Sequence, residues 1–129
     1  MSDFDEAVQA VIHGRADELR QLLEDDPDLV AARSDQPHRA TLLHYLGANG
    51  VEQSLQRSPP NAADICRILI EAGADPDATA NIYQPNQTVL PLVVSSVHPH
   101  VAGVQGDLVR ALVAGGARVD GLEDDGSPL

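Results

Sequence analysis

Two stretches of this sequence repeat one pattern, and that repetition constrains the fold more than any other feature. Residues 65–75, Ile-Cys-Arg-Ile-Leu-Ile-Glu-Ala-Gly-Ala-Asp, are echoed by residues 108–117, Leu-Val-Arg-Ala-Leu-Val-Ala-Gly-Gly-Ala. Each follows an Asp, spaces its apolar residues as on one face of a helix, and ends in Gly, which favours helix termination. A weaker copy occupies residues 17–24. The pattern predicts a stack of similar helical units.

Another helix is expected before each of these stretches. Residues 41–50 and 88–97 both begin with Thr, a residue typical of helix N-termini, and residues 4–13 complete the first pair. Asn61 is expected to cap the helix that follows it. The sequence therefore predicts helix–turn–helix units, each with too little apolar surface to be stable alone.

The second unit carries a motif that resembles the ankyrin repeat. The motif runs from Thr-x-Leu-His through a Gly to Asp-Ile-x-x-x-Leu-Ile-Glu-Ala-Gly-Ala-Asp-x-Asp-Ala. The matching residues are Thr41, Leu43, His44, Gly50, Asp64, Ile65, Leu69, Ile70, Glu71, Ala72, Gly73, Ala74, Asp75, Asp77 and Ala78. Residues 43–52 and 95–105 are also similar to a bacterial subgroup of that family. The resemblance implies an all-α fold, an ankyrin-repeat solenoid of helix–turn–helix units with short β-turn fingers.

The resemblance also divides the chain. It implies a single domain over residues 1–129, with approximate repeats at 4–34, 35–79 and 80–122 and the start of a truncated fourth repeat at 123–129. It implies a structural hydrogen bond between Thr and His that joins adjacent repeats. The residues of the structural repeat motif are Thr41, His44, Gly50, Gly73 and Thr88.

The end of the chain raises two alternatives, because an open solenoid would present an apolar face to solvent. Either the chain is a fragment of a longer array, or another chain covers that face, for example by self-association. We expect this uncapped face to contain Leu90, Val93, Leu108 and Leu112. Small residues such as Gly47 and Ala72 are expected to let the layers stack closely.

Two insertions depart from the usual period of about 33 residues. Gly50 to Asp64 spans fourteen residues where Gly14 to Asp17 spans three, so about eleven residues are inserted in the second unit. About seven more are inserted around residues 98–105. Both fall at helix–helix turns, so we expect them side by side on one edge. A small-molecule or metal pocket there is an alternative function. Its candidate residues are Glu52, Arg57, His98 and His100.

The fingers expected from the resemblance, residues 35–40 and 81–87, are the main candidates for partner contact. Arg39 and Asn86 stand near the usual finger Gly. Asn tolerates a left-handed backbone better than Arg does, so the second finger is predicted to be regular and the geometry of the first stays open. The candidate partner-binding residues, which include the exposed sides of the first helices, are His38, Arg39, Asn49, Tyr83, Gln84, Asn86, Gln87 and Ser96.

Charge and composition narrow the function. The formal net charge is −12 and all eight basic residues are Arg, which disfavours nucleic acid and anionic membranes as partners. A protein partner with a basic surface is expected instead. The acidic N-terminus and the single cysteine indicate a cytoplasmic protein.

No catalytic motif is evident. The serines lack a nucleophile elbow, and the histidines lack the three or four ligands that a zinc site needs. Cys66 lies in a helix pattern and is expected to be a small buried apolar residue. We therefore expect a protein-interaction module that is not an enzyme and has no cofactor or metal. The alternative of a regulatory or targeting segment in a larger enzyme also stays open.

Overall fold

The computed structural model describes residues 3–47, 51–52, 55–56, 59–82, 84–95 and 103–117, which are mainly helical. Helices follow one another in pairs. They are α1 (Asp3–His13) with α2 (Ala16–Asp25), α3 (Leu42–Leu46) with α4 (Ala62–Glu71), and α5 (Val89–Ser95) with α6 (Gln105–Ala114). The mainly helical fold predicted from the sequence is therefore confirmed. None of the helices in the described ranges is long and apolar enough to cross a membrane.

Shorter elements join the pairs. A 3₁₀ helix, Pro27–Ala31, follows α2, and the side chain of Asp26 accepts a hydrogen bond at its N-terminus. Strands β1 (Ala80–Ile82) and β2 (Gln84–Gln87) pair antiparallel just before α5. The register is irregular, because Ala80 faces Gln87 whereas Ile82 faces Gln84.

The helices form two layers. The first helix of each pair packs against the first helix of the next, from α1 through α3 to α5, and the second helices pack in the same order from α2 through α4 to α6. Each pair also packs internally. A continuous aliphatic core joins the pairs, and its most deeply buried leucine and isoleucine side chains are Leu19, Leu42, Leu43, Leu46, Ile65, Leu69, Leu90, Leu108 and Leu112.

The expected uncapped apolar face is not made of the residues named for it. Leu90, Val93, Leu108 and Leu112 are all at most 2% exposed. That prediction was wrong because helical spacing shows which residues share a face but not which way the face points. Here the face points inward, since α5 packs on α3 and α6 and α6 packs on α4.

The second helices α4 and α6 end in the same way. Gly73 and Gly116 have φ angles of +109° and +107°, a conformation that residues with a side chain rarely adopt. In both turns the following alanine donates its amide hydrogen to the carbonyl of the leucine five residues earlier, at 2.9 Å. These bonds satisfy carbonyls that the helix end would leave unpaired.

The turn between α1 and α2 contacts the start of α4. Gly14 has a φ of +69°, and Asn61 Nδ2 donates a 2.9 Å hydrogen bond to its carbonyl. A Cβ atom on Gly14 would lie 2.1 Å from Asn61 Oδ1 and 2.8 Å from Pro59 Cβ. Asn61 occupies the N-cap position of α4, yet its side chain makes no capping hydrogen bond. The expected capping role of that side chain was therefore wrong.

Two glycines lie between neighbouring pairs. Gly47 is buried, and a Cβ atom there would make an ordinary van der Waals contact of 3.5 Å with Val93 Cγ2 in α5, but would lie 3.2 Å from the His44 carbonyl oxygen of its own helix. A Cβ atom on Gly115 would lie 3.1 Å from the side chain of Ile70 in α4. Ala72, by contrast, is exposed, so its expected role in close stacking was wrong. Gly115 is the residue that lets α6 approach α4.

Candidate partner-binding surface

The sequence candidates divide into those that the structure describes and those that it does not. Outside the described residues lie Asn49, Gly50, Arg57, Tyr83, Ser96, His98, His100 and residues 123–129. The backbones of Gln84, Asn86 and Gln87 form β2. Gly73 and Thr88 lie in the turns after α4 and before α5. His38, Arg39 and Glu52 are described, and the structure brings His38 and Glu52 together.

The first finger (residues 35–40) forms a closed turn together with Ser34. The Ser34 amide donates to the Ala40 carbonyl at 2.8 Å, and the Arg39 amide donates to the Gln36 carbonyl at 3.0 Å. Within the turn, Ser34 Oγ accepts a 3.0 Å hydrogen bond from the Gln36 amide. The chain therefore folds back on itself between the 3₁₀ helix and α3.

Arg39 adopts the backbone conformation usually reserved for glycine. Its φ is +55°, which costs a residue with a side chain about 1–2 kcal/mol. The Arg33 guanidinium donates a 2.9 Å hydrogen bond to the Arg39 carbonyl. The first finger, whose geometry the sequence left open, is therefore a regular turn with an arginine in the left-handed position.

The first finger is hydrogen-bonded to the β1–β2 hairpin, which contains the second finger (residues 81–87). The Asn81 amide donates to the His38 carbonyl at 2.8 Å. The guanidinium of Arg33 also donates to the Thr79 carbonyl. Arg33 thus holds a carbonyl on each side of the gap between the fingers, and the fingers form one connected surface.

Glu52 anchors the start of the inserted segment to this surface. Its carboxylate accepts hydrogen bonds from His38 Nε2 at 2.6 Å and from the Tyr45 hydroxyl at 2.9 and 3.1 Å. His38 Nδ1 in turn accepts a 3.0 Å hydrogen bond from the Ala40 amide. Because Nδ1 needs a free lone pair for that bond, the proton of a neutral imidazole lies on Nε2 and is donated to Glu52.

Burial and hydrogen bonding shift the protonation of this cluster. Burial, together with the nearby Glu52 carboxylate, raises the pKa of Tyr45 well above its usual range. Partial burial alone would raise the pKa of Glu52. Hydrogen bonds from His38, from its own backbone and from Tyr45 outweigh burial and lower that pKa below its ordinary value of 4.5. Glu52 is therefore ionised near neutral pH.

Aromatic contacts hold the cluster against α1. The Tyr45 side chain, 1% exposed, makes edge contacts with the rings of Phe4 and His38, at centroid distances of 6.1 and 5.8 Å. The three rings link α1, α3 and the first finger. His38 is thereby held by a hydrogen bond to its backbone carbonyl, by the packing of its ring against Tyr45 and by hydrogen bonds at both ring nitrogens.

The expected Thr–His hydrogen bond is present at the start of α3. Thr41 Oγ1 lies 2.8 Å from His44 Nδ1, and the Thr41 amide donates to the same nitrogen at 3.3 Å. Both side chains are buried. The bond lies within the first turn of α3, where it forms a capping box. A role in joining adjacent repeats stays a prediction.

A cleft of about 350 Å³ opens beside the fingers. It lies between the 3₁₀ helix, the start of α3 and the segment after α4. Its lining residues are Val30, Ala31, Arg33, Thr41, Leu43, Gly73, Ala74, Asp75, Asp77, Ala78 and Thr79. Exposed Asp75 and Asp35 give this side of the molecule carboxylates that a basic partner can approach.

The described residues offer little support for a metal site or for a reactive thiol. In the part of the chain that the structure describes, no three His, Cys, Asp or Glu side chains are grouped to hold a metal ion. Burial raises the pKa of Cys66 to about 11, although nearby Arg67 lowers it, so the thiol stays protonated. The alternative pocket also needs Arg57, His98 and His100, which lie outside the described residues.

Sequence reasoning missed Arg33, Ser34 and Tyr45 as parts of this surface. Tyr45 had a detectable signal, since the chain has only two Tyr and one Phe. Arg33 had no such signal. The residues around it do not indicate that its guanidinium binds two backbone carbonyls, one of which, that of Thr79, lies far along the chain.

Comparison with known proteins adds no relative. No protein-family model matches the sequence, and searches of curated proteins and of solved structures find no match.

Proposed function

We propose that this chain is an ankyrin-repeat solenoid that serves as a protein-interaction module. Support for the repeats comes from the second helices. Helices α2, α4 and α6 are each ten residues long. Each carries an Asp paired with an Arg three residues later. The pairs are Asp17–Arg20, Asp64–Arg67 and Asp107–Arg110.

The observation that carries the binding role is the connection between the two fingers. Arg33 donates to carbonyls on both sides of the gap, and the Asn81 amide donates to the His38 carbonyl. Loops that are already held in place lose little conformational entropy when a partner binds. The fingers, together with the exposed sides of the first helices, therefore suit rigid display of a binding surface.

The partner in this proposal is a protein with a basic surface, since the chain has a net charge of −12. Complementary charge speeds association and disfavours acidic competitors. The proposal places the protein in the cytoplasm and assigns it no catalytic step, cofactor or metal. Self-association through the C-terminal end of the stack is an alternative mode of contact.

A random peptide library displayed on phage tests this role. We expect selection on the wild-type protein to enrich basic peptides, whose affinity falls as salt is raised. Charge reversal at the first finger, Asp35→Lys, should weaken the selected peptides about tenfold, since it turns attraction into repulsion. Glu24→Lys, at an exposed position on the second helix α2, is the matched control and should change affinity little.

Two results would contradict the proposal. One is enrichment of peptides without basic residues. The other is binding that Asp35→Lys and Glu24→Lys weaken equally, which would mean that only net charge matters. Arg33→Gln adds a test of rigid display, because it should weaken binding of the same peptides while the helices stay folded by circular dichroism.

A further inference from the structure

The second helices form a surface of their own, named here the outer face, which consists of the exposed sides of α2, α4 and α6. Two grooves cross it. The groove between α2 and α4 has a volume of about 480 Å³ and apolar residues Leu23, Pro27, Ile68 and Ala72. The groove between α4 and α6 has a volume of about 390 Å³ and apolar residues Ile70, Ala111, Ala114 and Gly115.

Glu71 lies where the two grooves meet. It is the exposed last residue of α4 and lines both of them. The neighbouring cations are already neutralised, since Arg67 pairs with Asp64 at 2.8 Å and Arg110 pairs with Asp107. Within the described residues, Glu71 has neither an ion pair nor a hydrogen-bonded side-chain partner. The centre of the outer face therefore carries an uncompensated negative charge between two apolar grooves.

The spacing of the grooves matches an α-helix laid across α4. Adjacent packed helices are about 8–10 Å apart, so grooves on either side of α4 are separated by about that distance. Two side chains seven residues apart on a helix are about 10.5 Å apart along its axis and lie on nearly the same face. A residue three or four positions after the first lies between them on that face.

We propose that the outer face binds an amphipathic helix of a partner protein that has two apolar residues seven positions apart and a Lys or Arg midway between them. The apolar side chains enter the two grooves, and the cation pairs with Glu71. This surface is separate from the fingers and does not depend on the function proposed for them.

A designed peptide supplies the probe. It is an Ala- and Gln-based helix with two leucines seven residues apart and an arginine four residues after the first leucine. Titration into the ¹⁵N-labelled protein should shift the amides of residues 68–72 and 111–115 and leave residues 34–40 unchanged. Binding by Glu71→Arg should be about tenfold weaker, since a close charge pair becomes a repulsion.

Charge exchange separates a specific pair from general electrostatics. A second peptide has glutamate in place of the arginine. It should bind the Glu71→Arg variant at least as well as the original peptide binds that variant. It should bind the wild-type protein poorly. Glu6→Arg is the control variant with the same net charge, and should bind the original peptide within about twofold of wild type. A peptide with leucines eleven residues apart should bind more weakly, because the two side chains still share a face but are about 16.5 Å apart along the axis and no longer match the grooves.

Several results would overturn the proposal. They are an absence of amide shifts on the outer face, equal loss of binding in Glu71→Arg and Glu6→Arg, and equal binding of the two leucine spacings. Because the test uses shifts at residues 34–40 as an internal reference, failure of the outer face and failure of the finger surface give different results.

Discussion

The two layers of helices differ in regularity. Helices α2, α4 and α6 have the same length, the same Asp–Arg pair three residues apart and, for α4 and α6, the same glycine turn. In the other layer, α3 has five residues where α1 has eleven. One layer repeats local interactions. The less regular layer and the loops around it depend instead on contacts between residues distant in sequence, such as Asn61 with Gly14 and Glu52 with His38.

This difference indicates which parts of the molecule can carry a function particular to this chain. Repeated interactions give each second helix the same local structure, and the same intrahelical Asp–Arg contact recurs in each pair. Contacts that occur once, such as those of Arg33, Glu52 and Asn61, hold loops whose sequence is particular to this chain. The finger surface belongs to the irregular layer, and the outer face belongs to the regular one.

The largest expected loss of stability comes from substitution of a turn glycine, and it should differ between Gly14 and Gly73. Gly14→Ala should destabilise the protein by about 3 kcal/mol, because alanine is strained at a positive φ and its Cβ would displace the Asn61 side chain that bonds the Gly14 carbonyl. Gly73→Ala has the same backbone problem with nothing within 4 Å of the new Cβ, so it should cost about 1–2 kcal/mol. Urea unfolding followed by circular dichroism measures both, and equal costs would show that the Gly14–Asn61 contact contributes nothing.

A smaller effect tests the Glu52 cluster through pH. Glu52→Gln should cost about 1–2 kcal/mol near neutral pH, because the hydrogen bonds of His38 and Tyr45 lose a charged acceptor. The pKa of Glu52 is lower in the folded protein than its ordinary value of 4.5. Its contribution is therefore complete above that pH and is lost as the pH falls below it. The stability difference between wild type and variant should shrink in acid.

Asp64→Asn is the control from the regular layer. Asp64 pairs with Arg67 in an exposed position, so its loss should cost under about 0.5 kcal/mol. If Asp64→Asn and Glu52→Gln lost equal stability, contacts that occur once in the chain would not contribute more than the repeated Asp–Arg pairs.

The smallest effect has the opposite sign. Arg39→Gly should stabilise the protein by about 0.5 kcal/mol, because relief of the left-handed strain slightly exceeds the added entropy of glycine in the unfolded chain. Asp35→Gly in the same finger should destabilise the protein. Asp35 does not have a positive φ, so glycine relieves no strain there and only adds entropy to the unfolded chain. Thermal unfolding of the two variants compares them directly, and a destabilised Arg39→Gly would show that the arginine side chain itself supports the finger.

The regular layer was predictable from the sequence because its interactions are local. Apolar spacing and the closing glycines placed α4 and α6 within a few residues, since a helix is determined largely by neighbours three and four positions away. The Thr41–His44 bond is equally local. The positive φ of Arg39 was the one local feature that residue preferences left open.

The irregular layer could not be predicted in the same way. His38 and Glu52 are fourteen residues apart, and no periodic pattern joins a finger to an insertion. Asn61 matched a capping preference, but the Gly14 carbonyl offered its side chain a different acceptor. The inward direction of Leu90 and Val93 in α5 depended on which neighbouring helices they meet, which spacing alone does not specify.

The anchors of the inserted segment have a consequence for how such a chain can diverge or be redesigned. Glu52 holds one end to His38 and Tyr45, and Asn61 holds the other end to Gly14. Lengthening a tethered loop costs little, since closure entropy grows only with the logarithm of its length. A peptide of another length exchanged for the residues between these two anchors should therefore leave the helices on either side in place, with the loss of the contact that Leu55 makes with the core.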